Sequence, residues 1–437
     1  MIKKLVLVFA LVFTIFNYAQ EGTASPYSFY GIGNLKFKGT VENRSMGGLS
    51  IYNDSIHMNL RNPASYAGEN VGIYPFNGES RPVKFTVGGG YTSQDLKSNS
   101  GTEKASSTTF DYLALSVPVG KFGFGFGLLP YTSVGYKLES LNNDGNLQNR
   151  FKGEGGVNKV FFGLGYQIAK GLTAGVDVHY NFGNIQNSTL IVQYDNGVPT
   201  QYQSSERNRS DLSGVNFNFG LSYKRMLNSK LELVSGMTFT PESNLISQNE
   251  RSISTVTLSA TGQEFVVNTI QSDLQAMGLA ETELVLPSKF AFGAGIGQPR
   301  KWFVGAETSF QKTSKFSNQL YGTNATTYKD AYSLSLGGFY IPDFNSFDSF
   351  WERIVYRAGF RQEETGLNIN NESIKEFGIS FGVGLPVGDA RLLSNANLGF
   401  EIGKRGTTNS NLIQENFINL QLSLSLNDRW FQKRKYD

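Results

Sequence analysis

Two histidines, His57 and His179, are the chain's only imidazole bases, and neither sits in a motif that would put it to work. A hydrolase of the serine type needs such a base beside its nucleophile. Gly378, Ser380 and Gly382 alternate with Phe377, Ile379 and Phe381 in the manner of a strand, so they make no Gly-x-Ser-x-Gly elbow. There is no His-x-x-x-His pair and no Walker-type loop. Asp273, Glu281 and Glu283 lack the spacing and the turn glycine of a calcium loop. With no cysteine there is neither a disulfide nor a thiolate metal site. These residues predict no catalytic centre, no metal and no cofactor. Arg44 and Arg61 are the polar residues with the most to explain, and carboxylates such as Asp177 or Glu307 are the partners they predict.

Both arginines lie in a stretch, Pro26 to Gly68, that is polar, rich in Gly and Asn, and free of any sustained period of 2 or 3.6. Alone it could not bury enough apolar surface to offset the entropy of ordering it. It needs a container. Ahead of it, residues 1–19 read as a secretory signal: Lys3 and Lys4, an apolar run from Leu5 to Phe16, then Asn17-Tyr18-Ala19 before Gln20. With Lys3 and Lys4 gone, the 39 basic residues fall by two against 36 acidic ones, a balance of +1 that gives no reason to expect nucleic acid. No later apolar run is long enough for a membrane helix.

From residue 83 onward strict alternation recurs. Ile418, Leu420, Leu422, Leu424 and Leu426 interleave with Asn419, Gln421, Ser423 and Ser425. Phe122, Phe124 and Phe126 interleave with Gly123, Gly125 and Gly127, and Val215, Phe217, Phe219 and Leu221 with Asn216, Asn218 and Gly220. One face is greasy and the other small and uncharged, which suits a wall facing lipid outside and a filled lumen inside. A soluble sandwich would instead turn its apolar face inward. The pattern predicts about 14 strands, near 83–94, 107–119, 123–138, 155–168, 172–195, 211–226, 230–250, 284–297, 301–316, 330–342, 351–367, 372–387, 391–406 and 412–428. Connections after even strands are short, as at Gly120-Lys121, Lys170-Gly171, Asn228-Ser229, Gln298-Pro299-Arg300 and Gly388-Asp389, and those after odd strands are mostly long. Only Pro342 to Trp351 breaks the rule. Aromatics at strand ends, such as Trp302, Phe350-Trp351 and Trp430-Phe431, suit membrane-interface girdles. The expected architecture is all-β: a transmembrane antiparallel barrel (83–431) with an N-terminal luminal plug (20–82) and a periplasmic tail (432–437), whose Lys433, Arg434 and Lys435 join Arg429 at the rim.

Asn62-Pro63-Ala64 closing the plug, the strand number, and Leu286-Pro287-Ser288-Lys289-Phe290 opening a strand together resemble the FadL family of outer-membrane channels for hydrophobic compounds. The runs Pro26–Gly33, Arg44–Gly48 and Arg391–Phe431 are similar to the FadL-like barrels of Bacteroidota, which include members serving secretion or assembly machinery. The resemblance implies an outer-membrane protein of a Gram-negative bacterium, bathed in membrane lipid. It implies passage of hydrophobic small molecules, of long-chain fatty-acid type, with no energy-coupling segment. The alternative it carries is a non-transporting subunit that docks other barrels or surface lipoproteins.

Two local features bear on that choice. Pro130, inside the third strand, donates no ladder hydrogen bond and predicts a break in the wall; in the FadL family a kink there goes with a lateral opening. In the longest connection, 251–283, Val266, Ile270, Leu274 and Met277 follow helical spacing up to Gly278, with Phe265 and Val267 beside them. They predict an amphipathic helix that would form a hydrophobic groove or a docking surface.

Overall fold

The computed structural model describes residues 22–428 and 430, apart from 37, 55, 69–81, 260, 317–325 and 388–393. The expected signal segment, the tail, the Arg429 cluster, Phe431 and the Gly388-Asp389 turn lie outside the described residues.

Alternation does what it must: a closed antiparallel barrel of 14 strands. The wall runs β1 (Val83–Lys97), β2 (Thr102–Val119), β3 (Phe122–Pro130 and Thr132–Leu141), β4 (Leu147–Ala169) and β5 (Leu172–Ile191). It continues with β6 (Gln203–Met226), β7 (Glu232–Thr240 and Ser243–Leu258), β8 (Glu281–Leu286 and Lys289–Gln298) and β9 (Trp302–Gln311). The rest are β10 (Thr326–Tyr328 and Ala331–Tyr340), β11 (Val355–Ile369), β12 (Glu372–Pro386), β13 (Asn395–Arg405) and β14 (Gln414–Asp428). Pairs from Val83↔Asp428 to Lys97↔Gln414 close β1 onto β14. Three strands break at a proline, at Pro130, Pro241 and Pro287, because a ring in place of an N–H cannot hold a ladder bond.

Outward residues form an apolar belt. Ile418 and Leu420 are 47% and 49% exposed while Ser423 and Ser425 between them and the strand end are buried. Trp351 and Trp430 are exposed at the short-turn end. One expectation fails on the inner face, which is not uncharged throughout: β11–β14 turn Arg357, Arg361, Glu376, Glu401 and Glu415 inward, all buried. They have the same parity as the small residues; Arg361 and the glutamates are tolerated because they are ion-paired, and Arg357 donates to Asn397 Oδ1 at 3.0 Å.

Those charges receive the N-terminal segment, residues 22–68. Lys38 Nζ lies 3.0 Å from Glu363 and 2.8 Å from Glu376. Arg361 spans Glu363, Glu376 and Glu401 at 2.7–2.9 Å, and Arg405 joins Glu376 to Glu415. Arg61 pairs with Glu307 at 2.8 Å, as its position predicts, but Arg44 goes to Asp111 (3.6 Å) and Glu401 (3.5 Å) rather than Asp177. Asp177 sits instead 3.7 Å from His179, and His57 bonds Asp54 at 2.8 Å.

The inward glycines are notches for backbone. A Cβ on Gly337 would stand 2.2 Å from the Met46 carbonyl oxygen, and one on Gly359 2.1 Å from the Gly47 nitrogen. Asn62-Pro63-Ala64 is explained the same way. Asn62 Oδ1 accepts from the Ala64 N–H at 3.0 Å, capping the short turn Pro63–Tyr66, while its Nδ2 donates to the Leu221 carbonyl at 3.1 Å. Proline opens that turn, where no donor is needed. Ala64 is wholly buried, and Gly175 has no room for a side chain beside Pro63.

The predicted helix is not formed. Glu264–Gln271 is a strand that pairs with the outer part of β7, from Leu258↔Glu264 to Ser252↔Gln271. Phe265, Val266, Val267, Thr269 and Ile270 are aromatic or β-branched, and a neighbouring edge lies ready to bond them; helical spacing could not register that edge. Leu274 and Met277 follow in turns, Leu274 buried and Met277 exposed, and Gly278 takes a positive φ in a turn rather than at a helix end.

Candidate functional site

The wall is not sealed between β2 and β3. Their pairing runs from Val119↔Phe122 to Leu113↔Leu128 and then stops. Among the described residues Thr102–Tyr112 pair only with β1, and Thr132–Leu141 pair with β4 and, at two positions, with the N-terminal segment. The cause is Pro130. Tyr131 donates its N–H to the Val157 carbonyl on β4 at 2.8 Å. Bonding direction alternates along a strand, so residue 130 should address β2, and a proline has no N–H to offer there. The split begins where the apolar belt ends, at Phe110.

A bulge shapes the β2 side. Gly88 opposes Tyr112 and Gly89 opposes Phe110, so Asp111 is the extra residue and both Asp111 and Tyr112 are buried on the inner side. Each docks the N-terminal segment: the Val41 N–H donates to Tyr112 Oη at 3.1 Å, and Asp111 faces Arg44. Thr109 holds the Asp111 carboxylate at 2.7 Å.

The free edge of β3 is occupied by a two-residue strand, Asn34–Leu35, which pairs Asn34↔Ser133 and Leu35↔Thr132. Leu35 is 38% exposed in this gap. Next to it burial holds the Lys36 amine down at about 8, although the Asp111 carboxylate pulls it the other way. An undocked lysine keeps its proton up to about 10. Docking therefore releases a proton between those values and strengthens as pH rises from about 8 to about 10, with no change below. A spin label on Leu35→Cys should show its immobile fraction growing across that window; a flat profile would contradict the burial of Lys36.

Behind the gap lies a cavity of about 130 Å³, lined by Tyr30, Tyr131, Leu286, Pro287, Phe316 and Tyr328, with Leu35 at its gap side and Lys38, Glu363 and Arg405 at its base. Phe316 and Tyr328 pack edge to face at 4.9 Å between ring centres. Burial raises the Tyr30 phenol above its ordinary value, so the cavity keeps a neutral hydroxyl. The break at Pro287 thus has a use: it turns the start of β8 toward this space. At the long-loop end a cleft of about 260 Å³ separates Thr102 and Glu103 of β2 from Tyr136–Leu138 of β3, with Ala24 and Pro26 beside it. A larger hollow of about 1170 Å³ lies against outward residues such as Val304, Phe381, Leu398 and Leu420. Its lining also includes the inward residues Phe303, Arg357 and Gln421.

Of the residues singled out in sequence, the turn that Asn62–Ala64 opens lies against the strand that carries Pro130, because Gly123 and Gly125 leave room for Tyr66 and Tyr66 shares a buried cluster with Leu129; Phe265, Val266 and Ile270 stand apart on the hairpin. Tyr30, Lys36, Asp111, Phe316 and Tyr328 carried no signal; only the bulge and the strand order bring them together.

A family model described as BamG matches residues 1–437. No match is found among curated proteins. Three solved structures share the fold. The Pseudomonas putida toluene transporter TodX has a TM-score of 0.58 at 15% identity, covering 91% of this chain and 100% of its own. The Ralstonia pickettii toluene transporter TbuX has a TM-score of 0.53 at 15% identity, over 91% and 100%. A Pseudomonas aeruginosa FadL homologue has a TM-score of 0.58 at 12% identity, over 91% and 99%.

Proposed function

The chain belongs to the BamG family, whose model it matches from end to end, and we propose that it is an outer-membrane barrel that passes compact apolar molecules sideways into the bilayer through the gap between β2 and β3. The observation that carries this reading is the coincidence of an aromatic cavity with an unpaired wall at the top of the apolar belt. Residues 20–82 serve as the plug that denies a straight route, and the barrel proper starts at Val83. Transfer of apolar surface from water to lipid, worth about 25 cal/mol per Å², drives the flux without an energy source. The fold it shares with toluene transporters supports the same direction of thought.

Cavity size narrows the cargo. An engineered cavity of about 150 Å³ takes one benzene, so about 130 Å³ fits a single ring and not an extended long-chain fatty acid. Replacing Pro130→Val restores a donor on the β2 side and should lower uptake of a single-ring hydrocarbon several-fold; unchanged uptake would remove this exit.

A second reading, a subunit of an outer-membrane secretion or barrel-assembly complex, is favoured by one observation: the hairpin strand Glu264–Gln271 is exposed along nearly its whole length.

A further inference from the structure

Above the belt β4, β5, β6 and β7 continue as a standing sheet. On β6 the outward residues change from Phe219, Phe217 and Val215, all exposed and apolar, to Ser213, Asp211 and Arg209. From Ser213 to its start at Gln203 the strand runs on for about ten residues, roughly 33 Å. The ladder runs β4–β5–β6–β7 and ends on Glu264–Gln271. That last strand bonds β7 on one side, and among the described residues nothing pairs with its other side. Every residue of it except Glu264 is exposed, Val266 at 62% and Ile270 at 66%.

Its open edge is defined by one bond. Ser272 donates its N–H to the Arg251 carbonyl at 2.9 Å. By alternation Ile270 faces β7 as well, and Thr269 and Gln271 face outward. Asn268 Oδ1 accepts the Thr269 N–H at 2.9 Å, which leaves the Thr269 carbonyl and both main-chain groups of Gln271 on offer. Exposed apolar edges are usually blunted by charge, proline or a cover because they invite a foreign strand. This one is not.

We infer that the free edge of Glu264–Gln271 is a strand-addition site for an extended segment of a different protein at the barrel's long-loop face. The bonding groups call for a strand, and the exposed apolar residues Phe265, Val266, Val267 and Ile270 call for apolar side chains on it. Glu250, Asp273 and Glu281 border the edge, exposed and without a basic partner within 4 Å among the described residues. The incoming segment therefore carries Lys or Arg beside its apolar run. A second copy of this chain is the wrong occupant. Two barrels in one membrane share its normal, so their equivalent strands run in the same sense and can add only in the weaker parallel mode. Their acidic borders would also repel.

The inference rests on the subunit reading and leaves the channel reading untouched. Its test is a photo-crosslinker at Val266 in intact cells, with one at Val198 on a neighbouring loop as the control. The expected result is a discrete adduct at least tenfold stronger from Val266, whose linked peptide is an apolar run flanked by Lys or Arg. Gln271→Pro removes one outward donor and no bond to β7, and should cut that adduct at least tenfold while the barrel stays folded by heat-modifiability. Ile270→Lys should do the same by charge. An adduct no stronger than the control, one unmoved by Gln271→Pro, or a dimer of this chain would overturn it. If partners still co-purify with Gln271→Pro at full yield, the subunit reading stands and the edge falls. If wild type brings none, both fall.

Discussion

The double variant Asn34→Cys, Ser133→Cys, once oxidised, should lose more than nine-tenths of its uptake of a single-ring hydrocarbon and regain it on reduction. The two residues are directly opposed across the pair that fills the edge of β3. Opposed positions in an antiparallel pair bring Cβ atoms within reach of a disulfide. The chain has no cysteine of its own, so the engineered bond would be the only one. The unlocked contact is short: two residue pairs and the Lys36 N–H on the Tyr131 carbonyl, each hydrogen bond worth about 1 kcal/mol net, with Leu35 standing in the proposed passage. Such a latch opens readily, whereas a covalent one does not. Equal uptake by the oxidised and reduced forms would show that cargo does not pass this edge.

The second large effect concerns what holds the N-terminal segment that we propose as a plug. Gly337→Ala should dislodge residues 45–48 and raise single-channel conductance, because the new Cβ meets the Met46 backbone at 2.2 Å and backbone cannot step aside as a side chain can. Overpacking typically costs about 1–3 kcal/mol, and here it falls on the backbone between Met46 and Leu49, whose side chains share a buried cluster with Val234 and Phe303. Gly305→Ala is the matched control. Its nearest neighbours are side-chain atoms, the tip of Ile51 and the edge of the Phe303 ring, both at 3.0 Å, and none is backbone of residues 45–48, so conductance should stay at the wild-type level. In the first variant trypsin should also cut after Arg44, freed from Asp111 and Glu401. Similar behaviour of the two variants would mean that the notches do not seat the N-terminal segment.

The sequence made the wall legible because lipid on one side and a crowded lumen on the other force a period of two, and turn length then alternates with parity. It made Pro130 legible because a missing N–H is a local property. The register of β3 against β2 adds what one strand cannot tell: which neighbour the missing donor would have served. The region 264–278 was misjudged for the converse reason. Val266, Ile270, Leu274 and Met277 satisfy a helical period, but the outcome depended on an edge of β7 whose presence no window of residues reveals. The charges at Arg361, Glu376, Glu401 and Arg405 sat at inward parity in plain view. Their meaning needed cross-strand neighbours, which bring three carboxylates onto one guanidinium at Arg361. The cavity drew on seven separate stretches, and nothing in any of them marks it.

The measurement that bears most directly on the proposed function is a mild-detergent purification of the tagged protein at native abundance, with lipid and protein mass spectrometry on one sample. The account predicts a barrel carrying a compact apolar molecule at near one-to-one occupancy, lost when Tyr328→Trp fills the cavity. Stoichiometric recovery with other barrels or surface lipoproteins, and an empty cavity in wild type, would contradict it and make the chain a machine subunit that conducts nothing.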